Sequence, residues 1–234
     1  MPSSTVCLKF FKLKRIANPL VSAGAAALLV AAGLVSIQPA QPAVALEPLA
    51  SVTLNTLLVK GRAPKTGYDR EKFSDGWGQL GSCDLRNYIL KRDLTREVMK
   101  PGYTCVVASG QLKDPYTAKT INFVRGVATS SAVQIDHVVA VSDAWQKGAQ
   151  RLSASKRFAF YNDPLNLLAV DGPTNARKGD SDAASWLPPN KSYRCAYVAR
   201  QIAVKKKYSL WVTAAEKSQM RTVLTTCPSQ RLPT

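Results

Sequence analysis

The stretch Val133-Gln134-Ile135-Asp136-His137-Val138-Val139-Ala140, read with Leu165-Asn166-Leu167-Leu168-Ala169-Val170-Asp171-Gly172-Pro173-Thr174-Asn175, decides how this chain is understood. His137 is the only histidine in 234 residues, and it stands beside a carboxylate at the end of an alternating apolar run. One imidazole next to one acid is an obvious place for general-base or metal chemistry near neutral pH. The alternation carries a difficulty, however. In a regular strand Val133, Ile135, His137 and Val139 share one face, and Gln134, Asp136 and Val138 share the other. A single metal site that uses both Asp136 and His137 therefore needs the strand to end or bend there. Without further support, a lone histidine on an apolar face reads as a hydrogen-bonded structural residue.

The downstream run supplies that support. Leu165 to Val170 reads as a short apolar strand, and Asp171-Gly172-Pro173 as a turn whose proline suits the first position of a helix. Asn175 then falls in the first turn of that helix, followed by Arg177-Lys178-Gly179-Asp180. The unit is strand, long excursion, strand, helix. The excursion, residues 141 to 164, reads as two short helices, the second capped by Ser153 or Ser155. Its Lys147, Arg151, Lys156 and Arg157 either line a groove or form solvated faces. Asp180 and Asp182 are candidates for holding a ligand or for capping the next short helix.

Outward from this unit, the first 45 residues read as an export signal. Lys9, Lys12, Lys14 and Arg15 precede an apolar run from Leu20 to Ile37 and the small-x-small tail Ala43-Val44-Ala45. Cleavage after Ala45 is the expectation, with an uncleaved membrane anchor as the competing one. Setting those four basic residues aside leaves 28 Lys and Arg against 15 acids. Such a surplus suits a polyanionic partner, nucleic acid first, ahead of anionic cell-surface polymers and membranes. Four cysteines remain after Cys7 is discarded with the signal. An even count in an exported chain reads as two disulfides, and the short loops they close favour Cys83 with Cys105 and Cys195 with Cys227. Their spacing does not resemble that of a zinc site.

The flanks read as structure. Residues 46–65 look like an apolar lead-in and linker, and from Tyr68 the chain turns aromatic and charged through Phe73 and Trp77. Helical spacing of Leu85, Tyr88 and Ile89 predicts a helix from about Asp84 to Thr95, with Arg86 and Asp93 on or beside its polar face. Tyr103–Ala108 and Thr120–Arg125 read as strands, the second a hairpin partner of the first. Beyond Lys191 a helix runs to Tyr208. Thr213-Ala214-Ala215-Glu216 is a capping box opening a last helix from Ala214 to Thr225.

On Asp136-His137, on Asn166 opening the second strand, and on Asn175 with Arg177-Lys178-Gly179-Asp180, the chain resembles the HNH endonucleases, the His-Me finger or ββα-metal group. Within it the chain looks most like the exported branch of the DUF1524 type. The resemblance is close over residues 133–188. It extends more loosely over nearly all of the mature chain, including the Cys83-Asp84-Leu85-Arg86-Asn87 segment. It implies an α+β fold with a ββα-metal core surrounded by helices and stabilised by disulfides. It also implies an HNH nuclease domain over residues 66–230. Asp136 and Asn175 would hold one divalent cation, Mg2+ or Mn2+, and His137 would be the general base. Asn166 would brace the loop that presents the imidazole. Lys178, Arg177 and Arg86 would contact the nucleic-acid backbone. The implied activity is secreted, metal-dependent hydrolysis of phosphodiester bonds in DNA or RNA. A cationic nucleic-acid-binding protein without turnover, and a hydrolase that attacks another anionic polymer through Asp136, are the competing readings.

Overall fold

The computed structural model describes residues 46–233; the expected export signal lies outside the described residues. The chain runs α1 (Ala50–Thr56), β1 (Gln79–Leu80), β2 (Cys83–Asp84), α2 (Leu85–Asp93), β3 (Leu94–Met99), β4 (Val107–Lys113), β5 (Thr120–Val124) and β6 (Val133–His137). It continues through α3 (Val141–Gln146), α4 (Ala154–Tyr161), β7 (Leu167–Asp171), α5 (Gly172–Lys178), α6 (Arg194–Lys207) and α7 (Ala214–Thr225). The fold is α+β. Among the described residues no helix is long and apolar enough to cross a membrane.

β6 and β7 form a two-stranded antiparallel ribbon in unbroken register, from Val133 opposite Asp171 to His137 opposite Leu167. A two-stranded ribbon is marginal by itself. This one is covered on both sides. Val133, Ile135, Leu167 and Ala169 pack with Leu85, Ile89 and Leu90 of α2 and with Val107, Leu112 and Phe123 of the β3-β4-β5 sheet. Leu168 and Val170, with Val138 just beyond β6, pack with Tyr116 and with Tyr197, Val198 and Ile202 of α6. Each such side chain contributes about 1.5–3 kcal/mol when fully buried. The period-two pattern of the sequence is thus used on both faces, and it fixes where Asp136 and His137 point.

α5 follows β7 at once. Asp171 caps it by accepting the Thr174 N–H at 2.8 Å. Gly172 lets the helix start against the preceding chain, because a Cβ there would collide with the Ser131 carbonyl oxygen. Gly179 closes it at φ +55°, donating to the Asn175 carbonyl at 3.1 Å. That turn directs Asp180 back toward the helix end.

Several flanking expectations change. Residues 46–65 are no loose linker, since α1 buries Ala50 and Leu54 in the same core as α6 and α7. The helix from Asp84 stops at Asp93, and Leu94–Met99 pairs with β4 as a strand, with an irregular register around Arg96. Extended residues Thr95 and Val98 gain more from that ladder than from another helical turn. β4 begins only at Val107 because Cys105 is tied back to Cys83, Cα to Cα 5.4 Å. The second disulfide joins Cys195 at the start of α6 to Cys227 just past α7, Cα to Cα 6.4 Å. Both pairings agree with the sequence expectation.

Thr213 accepts the Glu216 N–H at 3.1 Å, but Glu216 does not complete the capping box. Its carboxylate is fully buried between Lys147 at 2.7 Å and Lys205 at 2.9 Å. Asp143, Asp182 and Arg62 join them in an enclosed cluster of three cations and three anions. Lys147, read from the sequence as a groove or surface residue, lies at its centre and is 0% exposed.

Candidate active site

A cavity of about 280 Å³ opens along the free edge of β6 and is lined by Tyr68, Arg70, His137, Ser142, Asn175 and Asp180 among others. It is assembled from four places in the chain: the segment before β1, the end of β6, the start of α3, and α5 with its closing turn.

His137 is 5% exposed. Its Nε2 lies 2.8 Å from the Tyr161 carbonyl oxygen at the end of α4. A carbonyl only accepts, so Nε2 carries the proton and Nδ1 keeps the lone pair. Trp77 stacks on the imidazole at 5.8 Å and 8°, and the Tyr161 ring lies 4.4 Å away. Burial pushes the His137 pKa down to about 3. The bond to the Tyr161 carbonyl acts upward, while the Arg70 and Lys178 charges add to the depression. The ring is therefore neutral and able to accept a proton across the physiological range.

Asp136 is held elsewhere. Because β6 stays regular through His137, the two side chains leave on opposite faces, as the alternation required. Asp136 Oδ2 accepts from Tyr116 Oη at 2.5 Å, and Oδ1 accepts from Lys178 Nζ at 2.9 Å. Lys178 also donates to the His137 carbonyl at 2.9 Å. Burial raises the Asp136 pKa, and the Lys178 charge works against that rise. Breaking a buried pair by removing one partner typically costs about 3–5 kcal/mol. Both Asp136 oxygens are thus committed within the fold, which does not fit the expected role as a cation ligand. Lys178, fully buried in that pair, is likewise not available to a nucleic-acid backbone.

Asn166 is fully buried and brackets Val139, accepting its N–H at 2.8 Å and donating to its carbonyl at 3.2 Å. The chain leaving His137 is thereby fixed by a side chain from the loop before β7. Asn175 donates Nδ2 to Gln134 Oε1 at 2.9 Å. Its amide oxygen is left as a hard-oxygen donor beside the cavity. A neutral amide oxygen of this kind fits Mg2+ or Mn2+. Arg177 is exposed on α5 and bonds Thr174 Oγ1 at 2.7 Å. Arg86 is turned to the Ser130 and Val133 carbonyls at 3.4 and 3.3 Å and does not line the cavity. It braces the entry to β6.

Four lining or covering residues carry no sequence motif. Arg70 sits on the opposite wall, its Nε and Nη2 at 3.2 and 3.1 Å from Tyr161 Oη, with further N–H groups unused by that bond. Tyr68 stands beside it, and burial raises its hydroxyl pKa. Trp77 covers the imidazole. Asp180 accepts from Ser142 at 3.0 Å and from Lys65 at 3.2 Å, and these bonds hold its carboxyl below the usual range. The only hint in the sequence was the aromatic and charged character from Tyr68 onward.

Residues 84–223 match the family model described as GmrSD restriction endonucleases, C-terminal domain. The matched span includes His137, Asn166 and Asn175, whereas Tyr68, Arg70 and Trp77 precede it. An uncharacterized secreted protein of Arthroderma benhamiae is 39% identical over 191 residues, covering 81% of this chain and 90% of the relative. No solved structure matches the chain. With more than half of its residues inside the matched span, the chain belongs to the family of the GmrSD restriction endonuclease C-terminal domain.

Proposed function

We propose that this protein is an exported, metal-dependent endonuclease of the HNH type that hydrolyses phosphodiester bonds in DNA, with RNA as a second candidate substrate. The observation that carries the reading is the sole histidine. It is fixed in the tautomer of a base by the Tyr161 carbonyl, on a cavity it shares with Arg70 and with Asn175 on α5. The succession β6, β7, α5 matches the ββα unit expected from the resemblance. Membership of a restriction-endonuclease domain family supports a nucleic-acid substrate. The secreted relative, the two disulfides and the apolar N-terminal run support export.

In this mechanism a water molecule placed between His137 and the scissile phosphate gives its proton to Nδ1 as its oxygen bonds to phosphorus. The ester oxygen on the opposite side leaves with the bonding pair and takes a proton from solvent. Arg70 donates to the non-bridging oxygens as charge builds on them. Asn166 and Lys178 hold the backbone on either side of the imidazole, so the base keeps its direction during the transfer. A bound divalent cation would offset charge on the phosphate oxygens, and Asn175 is the residue of the expected pair that fits it.

The test is cleavage of supercoiled plasmid and of single-stranded DNA and RNA by the oxidised protein, with Mg2+ or Mn2+ and with EDTA. Cutting that needs metal and is lost in His137→Ala and Asn175→Ala is the expected result. Salt-sensitive DNA binding with no cutting under either metal would instead establish a cationic binding protein.

A further inference from the structure

We infer that the divalent cation of this site is held by Asn175 and Asp180, with the Ser142 hydroxyl beside them, and that Asp136 is not a ligand. The inference rests on the metal-dependent reading above and changes its ligand set.

A hard cation needs at least one anionic oxygen in addition to the Asn175 amide. Two carboxylates line the cavity, Asp136 and Asp180. Asp136 would have to abandon Tyr116 and Lys178. Both partners are buried, and Lys178 would then keep only the His137 carbonyl while a second positive charge arrived beside it. Asp180 is in the reverse situation. Its side chain is 53% exposed, and its cationic neighbour Lys65 is 54% exposed and free to swing into solvent. An exposed pair of this kind is weak and readily exchanged. The Lys65 ammonium marks a place where this carboxylate already receives positive charge.

The backbone brings the two donors together. Asn175 and Asp180 lie on either side of the Gly179 turn, where the Gly179 N–H closes onto the Asn175 carbonyl. Gln134 holds the Asn175 amide nitrogen, so the oxygen is the atom left over. Ser142 donates to one Asp180 oxygen and leaves the other without a side-chain partner. His137 lines the same cavity. Among the described residues no group of three His, Cys, Asp or Glu side chains is placed to hold a metal. One carboxylate and one amide would therefore leave the remaining positions to water and to substrate phosphate, as a nuclease site needs.

Mn2+ binding to the oxidised protein, followed by calorimetry and by the loss of the free-ion EPR signal, tests this without reference to turnover. Asp180→Asn and Asn175→Ala are each expected to raise the Mn2+ dissociation constant by about tenfold or more, a scale reached even by changes behind a ligand. Lys65→Met removes the competing cation and is expected to tighten binding severalfold, a gain that misfolding cannot imitate. Asp136→Asn combined with Lys178→Met, which removes the buried pair as a unit, is expected to stay within about twofold of the parent, given a cooperative melt. Unchanged affinity in Asp180→Asn, or lost affinity in a folded Asp136→Asn/Lys178→Met protein, would overturn the inference, as would no binding by the parent at millimolar Mn2+. Cleavage on the same samples separates the two claims. A protein that binds Mn2+ through Asn175 and Asp180 but cuts nothing sinks the nuclease reading alone.

Discussion

Replacing Lys147 by methionine should be among the most damaging single changes outside the cavity. Its ammonium lies 2.8 Å from Asp143, 2.6 Å from Asp182 and 2.7 Å from Glu216 and is shut off from solvent. Methionine roughly fills the volume, so the effect isolates charge. Three buried or nearly buried carboxylates would then share Lys205 and Arg62, and Arg62 is the partly exposed member. Removing one partner from a buried ionic group costs about 3–5 kcal/mol. A whole domain has only about 5–15 kcal/mol to lose. Guanidinium denaturation at pH 7.5 should lower the midpoint by that amount with little change in slope. The loss should shrink toward pH 5. A cluster short of one cation can take up a proton that the unfolded chain does not bind there, so folding is favoured as pH falls. Lys147→Met with Glu216→Gln restores neutrality and should recover part of the loss. A single variant within 1 kcal/mol of the parent, with no dependence on pH, would refute the reasoning. Asp182 lies two residues beyond Asp180, so this cluster also anchors the turn that delivers Asp180 to the cavity.

Three further outcomes follow from the same geometry. His137 has a folded pKa of about 3 against about 6.5 unfolded, so the unfolded chain binds the extra proton between those values. Stability should therefore fall as pH drops below about 6.5, and thermal melts of His137→Gln should show a shallower decline over that window. Arg70→Gln should lower kcat by about 10²–10³ with a smaller change in KM, the signature of a donor used mainly in the transition state, as single-turnover and steady-state cleavage would reveal. Replacing Cys195 and Cys227 together by alanine opens a link between residues 32 apart. It should cost about 3 kcal/mol in denaturant titrations while leaving the Mn2+ affinity unchanged.

Much of the frame was legible because it depends on local rules. The alternation of Val133 to His137, the Asp171-Gly172-Pro173 turn and the Thr213 cap each produced the element they announce. Asn166 could be read as a brace because a buried asparagine beside a strand has few other uses, and it does bind the backbone of Val139. What stayed hidden depends on long-range closure. Lys178 and Lys147 look like surface cations in sequence, since lysine is seldom buried without partners. Their partners come from β6, the α5–α6 connection and α7. Arg70 and Trp77 reach His137 across 67 and 60 residues of chain and belong to no periodic pattern.

The most informative element is the one that first seemed to argue against a site. Adjacent residues on a regular strand cannot serve one point in space, and β6 is regular through His137. The fold uses the alternation by dividing the work between the two faces. On one face Asp136 neutralises Lys178 inside the core, and Lys178 in turn holds the His137 carbonyl. On the other face the imidazole is set by Tyr161 and Trp77. A change at Asp136 would therefore be felt at His137 through the backbone, without any shared ligand. This explains how an acid next to the base can be indispensable to the site and still never touch a metal. It also places the reacting atoms at the open edge of β6, where His137, Arg70 and α5 with its closing turn meet one cavity.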